Sequence, residues 1–565
     1  MSPSDFFTIF LLSLIELTKG WISDRIEAIK LTTEKNMFVR IKKNKSGSQT
    51  VLLIKGERHP DKKHCIPKII KNFGVSRDAK VIDELKKQAE EYKAKLEAES
   101  PKAKILKIIT GDDVKSCCSY NVGFSDIYQN AFNKVFGKLE LKNINRLRDL
   151  VTMRIAAPSS KLRTANLADE YGIALNVDNI YKFMDKLNIP TIESIKQTIY
   201  QHTAKLLNNH KEKLDVLFYD LTTIYFETGT QDEIRDFGFS KDGKHQHVQI
   251  MLAVIVTKEG LPVDYEEFPG NCYEGHTLIP VLNKIKKRYN IDKSVLVADA
   301  ALMNKINLSE LDQRGIQYVI AARIKNAKKN IKDLIFNTEG YQDMGFVSDN
   351  IKAKAIPTDE GDLIVSYHSS NRARKDKHDR TKALEKIKKH IDSTAKSKLT
   401  SSLKKPYVKV SKNCKINIDY NKLDTDQKFD GFFGLRTNIK NANPADLLAS
   451  YRGLWQVEQT FRIAKNNLEI RPVFHYSPRR IRAHFVICYI ALALVRYVCF
   501  SLKRNSIDIP CERLHLLLGK MRKTLLVDSN DEAFEFLEDP PSELIPVYMA
   551  LKINWHPKFQ HKVIL

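Results

Sequence analysis

Two aspartates stand in apolar strand-like runs, where acids are costly, and a glutamate follows on a helix. Asp220 interrupts the apolar run LDVLFYDLTTIYF (Leu214–Phe226), Asp299 ends SVLVADAAL (Ser294–Leu302), and Glu458 lies within YRGLWQVEQTFRIAK (Tyr451–Lys465). A carboxylate in a buried strand is strongly disfavoured unless something partners its charge. Three of them meeting at one sheet edge would suit hard divalent cations, which take oxygen ligands and can be held in pairs by such a trio. Read as one helix, 451–465 places Leu454, Val457, Phe461 and Ala464 in an apolar stripe. Tyr451, Glu458, Arg462 and Lys465 then fall near a second face. Lys465 follows Glu458 by two turns, about 10 Å along the axis, a reach that suits a DNA phosphate. Taken alone, an amphipathic surface helix with ion pairs accounts for the same stretch.

The order of an Asp in a first strand, an Asp ending a later strand and a Glu on a helix resembles the DDE transposases of bacterial insertion sequences. The helix is similar to the Tyr-x2-Arg-x3-Glu-x6-Lys signature of their insertion-sequence-four superfamily, the Tyr-Glu-Lys type. Tyr451, Glu458 and Lys465 fall in register, and Trp455 and Phe461 stand where that branch often has aromatics. Leu454 occupies the position of the family's Arg, with Arg452 two residues earlier. The stretches YDLTT, FPGNCYEGHT (Phe268–Thr277), VADAA and FDGFFGLRTN (Phe429–Asn438) carry the similarity from about Lys213 to Tyr497. The resemblance implies that Asp220, Asp299 and Glu458 are catalytic and hold two Mg²⁺ ions, with Mn²⁺ as a substitute. It implies contacts from Tyr451, Arg462 and Lys465 to DNA phosphate, hydrolysis at the element's terminal inverted repeats, and strand transfer into double-stranded target DNA. A homodimer in the synaptic complex is implied as well.

Composition agrees with such a partner. Lys and Arg number 93 against 68 Asp and Glu, a formal charge of +25 with pI near 9.4. That excess favours a polyanion, of which nucleic acid is the commonest, although charge alone also fits a merely basic protein. A hydrophobic content of 42% is enough for a substantial core. The eight cysteines are scattered without CxxC spacing, which argues against structural zinc and for a reduced, intracellular setting; the resemblance implies a cytoplasmic, nucleoid-associated one.

These residues need elements to position them. The apolar runs around Asp220, over Gln249–Val256 and in LPVDYEEF predict an antiparallel three-strand meander. A helix over Thr277–Tyr289, the strand ending at Asp299, a helix near Leu308–Arg314 and a strand over Gln317–Ile324 complete a β-β-β-α-β-α-β order. That is the order of an α/β, RNase H-like core, a mixed sheet flanked by helices. The gap from Asp299 to Glu458 is too long for a loop, so residues 326–440 are expected to form a β-rich insertion domain. Its charged helix, Asn371–His390, suits a phosphate backbone.

The core is thus split into 213–325 and 441–500, followed by a helical tail over 501–565. Ahead of it lie an extension of doubtful status (1–36), a β-hairpin region (37–75) and a helical DNA-binding region (76–212). Within the last, Leu167–Leu187 has the length of a helix-turn-helix pivoting on Gly172, preceded by Arg148, Arg154, Lys161 and Arg163, although an ordinary helical hairpin accounts for it about as well, so DNA binding is assigned to the region as a whole. His245 and His247 read as loop histidines. The apolar run from Phe485, broken by Arg496, reads as a buried core helix. Other readings stay open: a nuclease of the same fold that cuts without joining, a non-catalytic DNA-binding descendant of a transposase, or a basic structural protein with buried acids.

Overall fold

The computed structural model describes residues 37–58, 65–98, 114–212, 214–240, 243, 246–289, 294–302, 304–346, 348–393, 407–410, 416–529, 532–554 and 560–563. The N-terminal extension, His245 and residues 394–406 of the insertion lie outside them. The chain divides into two compact units, residues 1–117 with 526–534 and 561–565, and residues 118–525 with 535–560.

In the first unit, β1 (Met37–Lys43) and β2 (Gln49–Arg58) form the expected hairpin, and β3 (Cys65–Ser76) adds a third antiparallel strand. The charged stretch after it is α1 (Ala79–Ala98), whose Ile82, Leu85 and Ala89 pack on Val39, Val51 and Phe73.

After β4 (Val114–Asn121), the second unit carries five helices: α2 (Asn130–Phe136), α3 (Ile144–Ala156), α4 (Lys161–Leu167), α5 (Val177–Met184) and α6 (Ile189–Asn209). Within Leu167–Leu187 the expected first helix is only a four-residue 3₁₀ turn, Ala168–Tyr171, that follows α4; Gly172 at φ +64° and α5 come next. Gly172 is suited to that left-handed corner because it has no Cβ to clash. Asn176 caps α5 by accepting from the N–H groups of Asp178 and Asn179. Of the basic residues named ahead of this stretch, Arg154 and Lys161 are buried, Arg148 pairs with Asp149, and Arg163 is exposed. The first two therefore cannot meet a phosphate backbone.

The core is one nine-stranded mixed sheet in the order β10-β11-β12-β15-β9-β8-β5-β6-β7. Its first strands are β5 (Val216–Tyr225), β6 (Gln249–Thr257) and β7 (Pro262–Pro269), an antiparallel meander as the sequence predicts. After α7 (Leu278–Tyr289), β8 (Val295–Ala298) returns parallel to β5; after α8 (Lys305–Gln313), β9 (Tyr318–Ala322) lies parallel to β8. β6 is buried along its whole length, which explains its unbroken apolar sequence.

Apart from one small hairpin, the described strands of residues 326–440 join the core sheet. Here α9 (Lys329–Phe336) leads into β10 (Gln342–Asp343), β11 (Ile351–Pro357), β12 (Leu363–Ser369) and, after α10 (Ser370–Ser393), the small hairpin β13 (Val408–Val410) and β14 (Ile416–Ile418). The segment closes with α11 (Tyr420–Gln427) and β15 (Phe432–Thr437). β15 pairs antiparallel with β9, and β12, β11 and β10 continue from it, so the insertion extends the core sheet. Backbone groups on the free edge of β9 need partners, and an inserted antiparallel strand supplies them.

The chain returns through α12 (Pro444–Arg452) and α13 (Trp455–Arg462) to α14 (Pro478–Arg504), the central helix. Among the described residues α14 alone is long and apolar enough to cross a membrane, and it is largely buried inside the fold.

Candidate active site

Alternation along β5 sorts its side chains between two cores. Leu217, Tyr219 and Leu221 join the cluster under α7 and α8, while Phe218, Ile224 and Phe226 join the cluster built on α14. Asp220, in step with Phe218, therefore lies on the α14 face. β8 pairs with β5 as Val216↔Val295, Leu217↔Leu296, Phe218↔Val297 and Tyr219↔Ala298. One further step of that parallel register brings Asp299 beside Asp220, on the same face, where neighbouring strands run about 4.8 Å apart. Each Asp accepts a hydrogen bond from the next backbone N–H: Leu221 to Asp220 Oδ1 at 2.7 Å, and Ala300 to Asp299 Oδ1 at 2.6 Å.

Glu458 arrives on the helix covering that face. The buried side of α13, Val457 and Phe461, joins the α14 cluster, whereas Glu458 and Arg462 are exposed. Gly453 rests on the ring of Phe218, where a Cβ would come within 2.5 Å of Cζ. Tyr451, on the last turn of α12, is half-buried. Burial raises its phenol pKa, the negative charges of Asp299 and Glu458 raise it further, and Arg372 on α10 opposes them. One tyrosine thus senses acids from two elements and a cation from the insertion.

The stretch 451–465 is not the single regular helix its periodicity predicts. Leu454 N–H bonds to Tyr451 O and Val457 N–H to Leu454 O, tightening the chain between α12 and α13. Beyond Arg462 it widens into a π-helical turn, Ile463–Asn467, that carries Lys465. Both departures are the kind that mark functional sites inside helices. They also overturn the regular-helix geometry, because the wide turn shifts Lys465 off the position two α-helical turns after Glu458. The expected apolar stripe survives, with Val457, Phe461 and Ala464 buried and Leu454 partly so.

Loops at the same end of the sheet are braced. Tyr219 Oη lies 2.6 Å from Thr277 Oγ1, and Asn307 donates to the carbonyl of Gly275 at 2.7 Å. These bonds tie the loop after β7 to β5 and to the start of α8. His247, the described member of the histidine pair, lies with Nδ1 3.1 Å from the carbonyl oxygen of Phe226. Among the described residues, no three carboxylate, imidazole or thiol groups are gathered tightly enough to hold a metal ion as the side chains stand. The donor chemistry nevertheless suits a hard cation: two neighbouring strand aspartates, with an exposed glutamate on the helix over their face.

Sequence reasoning gave no role to Arg372, which reaches the site electrostatically from α10, or to Arg496, which bonds to α13 from below. The signal for Arg496 was present, since one guanidinium in an apolar helix demands buried acceptors.

Comparison with known proteins gives one family. The family model described as "Transposase DDE domain" matches residues 211–494, half of the 565-residue chain. No curated protein matches. Among solved structures, the chain is similar to the cryo-EM structure of the piggyBac transposase synaptic complex with hairpin DNA, at 10% identity and a TM-score of 0.35, covering 70% of this chain and 77% of that one. The Mos1 transposase paired-end complex with left transposon end is matched at 11% identity and a TM-score of 0.15, over 31% of this chain and 58% of that one. Because the family match runs from just before β5 into α14, it spans every element that positions Asp220, Asp299 and Glu458, and the chain belongs to the transposase DDE domain family, whose members act in DNA transposition and generally use divalent metal ions.

Proposed function

We propose that this protein is an insertion-sequence transposase of the Tyr-Glu-Lys type, which binds the terminal inverted repeats of its element as a homodimer, cuts there and joins the ends to target DNA. The observation that supports the reading is the β5–β8 register, whose last pair is Tyr219↔Ala298, so that Asp220 and Asp299 are the next residues on neighbouring parallel strands, with the buried side of the Glu458 helix in the same cluster as Phe218. The strand order β9-β8-β5-β6-β7, with the first three strands antiparallel and the next two parallel to the first, supports an RNase H-like core.

In this reading Asp220, Asp299 and Glu458 hold two divalent ions, Mg²⁺ or in its place Mn²⁺. Bound there, the ions supply Lewis-acid stabilisation of the charge that develops during an in-line phosphodiester displacement. The protein's own groups do the rest. The carboxylates fix the site to a strand, the end of its neighbour and a helix, which hold position better than loops. Tyr451, Arg462 and Lys465 hold the DNA phosphates entering it, and the hydroxyl of Tyr451, kept protonated by burial and the acids beside it, can donate to one of them. The basic face of α10 tracks the backbone farther out, and Arg372 brings that face up to Tyr451.

The test is a plasmid carrying both element ends, incubated with the full chain and Mg²⁺ in the presence of a target plasmid. The expected result is nicking at the ends followed by joined product. Nicking without joining would point to a nuclease of the same fold, and metal-independent binding without cutting to a DNA-binding protein.

A further inference from the structure

Arg496 stands within α14, in a run from Phe485 to Phe500 that is otherwise apolar apart from two tyrosine hydroxyls and two thiols, and only 7% of its surface is exposed. A buried guanidinium is tolerated only where its N–H groups find acceptors in good geometry. These do. Nε donates to the carbonyl of Gly260 at 2.7 Å, and Nη2 donates to the carbonyl of Glu259 at 3.0 Å and to Gln456 Oε1 at 2.9 Å. Nη1 donates to Gln459 Oε1 at 3.0 Å. The acceptors belong to two elements: the turn between β6 and β7, and α13. On α13, Gln456 and Gln459 are three residues apart, so they share a face, and Glu458 lies between them in sequence. The turn is shaped around the guanidinium as well. Gly260 holds φ at +74°, and a Cβ there would sit 1.6 Å from Nη2.

α13 needs such a tie. It is eight residues long, entered through the tightened turn at Gly453–Leu454 and left through the π-helical turn, so neither neighbour continues its axis regularly. Its apolar side resists being lifted off the sheet. Contacts of that kind are non-directional and leave sliding and rotation weakly opposed, whereas a planar fork bonding two side chains on one face fixes both.

We propose that Arg496 is a positioning residue: by anchoring Gln456 and Gln459 to the β6–β7 turn, it sets the axial position and rotation of the helix that presents Glu458 to Asp220 and Asp299. It touches neither DNA nor metal. The inference rests on Glu458 being the third carboxylate of the site.

The test uses the full chain and five variants: Gln456→Leu with Gln459→Leu, Gln456→Leu alone, Gln456→Glu, Arg496→Met, and Glu458→Gln as reference. Four quantities are measured: thermal unfolding, affinity for end DNA, Mn²⁺ binding by electron paramagnetic resonance, and single-turnover cleavage across a Mg²⁺ titration. Misplacement of a catalytic group by about 1 Å costs roughly 100-fold in rate. The double Leu variant and Arg496→Met should therefore cut some 10- to 100-fold more slowly, bind Mn²⁺ more weakly and need more Mg²⁺, with DNA affinity unchanged. Gln456→Glu keeps an acceptor for Nη2 and should lose much less than Gln456→Leu. A double Leu variant that binds Mn²⁺ and cuts as the wild type does, while Glu458→Gln is dead, overturns the role of Arg496 and leaves the active-site reading intact. A Glu458→Gln variant that still cuts overturns that reading itself. If the double variant does not fold, the Glu and Leu variants at 456 decide: equal loss in both overturns the tie, and the predicted difference supports it.

Discussion

Asp264 and Glu266 on β7, and Asp220 on β5 with Asp299 at the end of β8, are all acids in or at the end of strands of one sheet, and their surroundings differ in kind. On β7 the acids are ringed by cations. Lys196 lies 3.4 Å from Asp264 and 3.3 Å from Glu266, Lys284 bonds Glu266 at 2.5 Å, and Arg288 bridges Asp264, Glu266 and Glu193. Tyr289 donates to Asp264 at 3.0 Å. Burial holds the Asp264 carboxyl above its ordinary range in spite of Lys196 and Arg288. Glu266 is pushed up by burial too, but ends below its range because Lys196, Lys284 and Arg288 outweigh that push. This network binds α6 and α7 to the edge of the sheet. At β5 and β8, backbone N–H groups bond Asp220 and Asp299, and Asp299 and Glu458 act together on Tyr451. Acids already matched by lysine and arginine hold structure together. In the proposed reading, the acids that act together on one phenol are the ones that take their cation from outside.

The comparison can be broken most directly by removing acids on the second side. Asp220→Asn, Asp299→Asn and Glu458→Gln should each reduce Mg²⁺-dependent nicking by about 1,000-fold or more, the loss of several kcal/mol of transition-state stabilisation. Their unfolding transitions should stay near that of the wild type. Normal nicking by any one of them would move that residue to the structural side.

On the first side the effect should fall on stability. Lys196→Met leaves Asp264 and Glu266 short of a buried partner, and denaturant unfolding should show a loss of about 3–5 kcal/mol. Below the transition, its cleavage rate should be close to normal. A variant with wild-type stability and impaired cutting would show that the β7 network serves the reaction after all.

Lys465, carried by the π-helical turn that follows the Glu458 helix, sharpens the contrast. Lys465→Ala should slow cleavage about 10- to 100-fold, the scale of one charged phosphate contact, and weaken binding of the reactive end. The Mg²⁺ midpoint should not move. A shifted midpoint with unchanged DNA affinity would mean that Lys465 acts through Glu458.

The smallest effect sets the pH range in which the two acid sets can be compared. Burial, with Lys161, Arg154 and Arg480 adding to it, lowers the His475 pKa to about 3, and burial with Lys161 and Arg154 lowers that of His484 well below its ordinary value. Both imidazoles are neutral when folded and take up protons on unfolding once the pH falls below about 6.5. Their contribution is therefore complete above that pH and lost as the pH falls toward 3. The slope should approach 1.4 kcal/mol per pH unit for each group only well below 6.5, and total about 1 kcal/mol in the first unit. Urea unfolding at pH 7.5, 6.5 and 5.5 measures it, with His475→Gln expected to flatten the profile.

Much of the core was readable in advance because its strands are long apolar runs of the right length. β5, β6 and β7 fall within a residue or so of the predicted boundaries, and α7 begins one residue late. The insertion was harder. Its strands are visible locally, but which edge they pair with depends on the free hydrogen-bonding groups of β9, more than a hundred residues away from β15. The irregular turns around α13 were also hidden, since heptad-like spacing cannot report a backbone that tightens at Gly453 and widens after Arg462. The burial of Arg154 and Lys161 was hidden as well, because it is set by the packing of α3 and α4 and not by residue type.

By itself the sequence determined the meander, the helix–strand alternation after it, the burial of α14 and an acid, Asp220, inside an apolar strand. It could not separate the strand acids of β5 and β8 from those of β7, because the residue types are the same in both. Only the tertiary structure decided that, by bringing Lys196, Lys284 and Arg288 from two helices onto one pair and setting the other beside each other in parallel register. Charge is a property of a residue; whether it is neutralised depends on what the fold brings within a few ångströms of it.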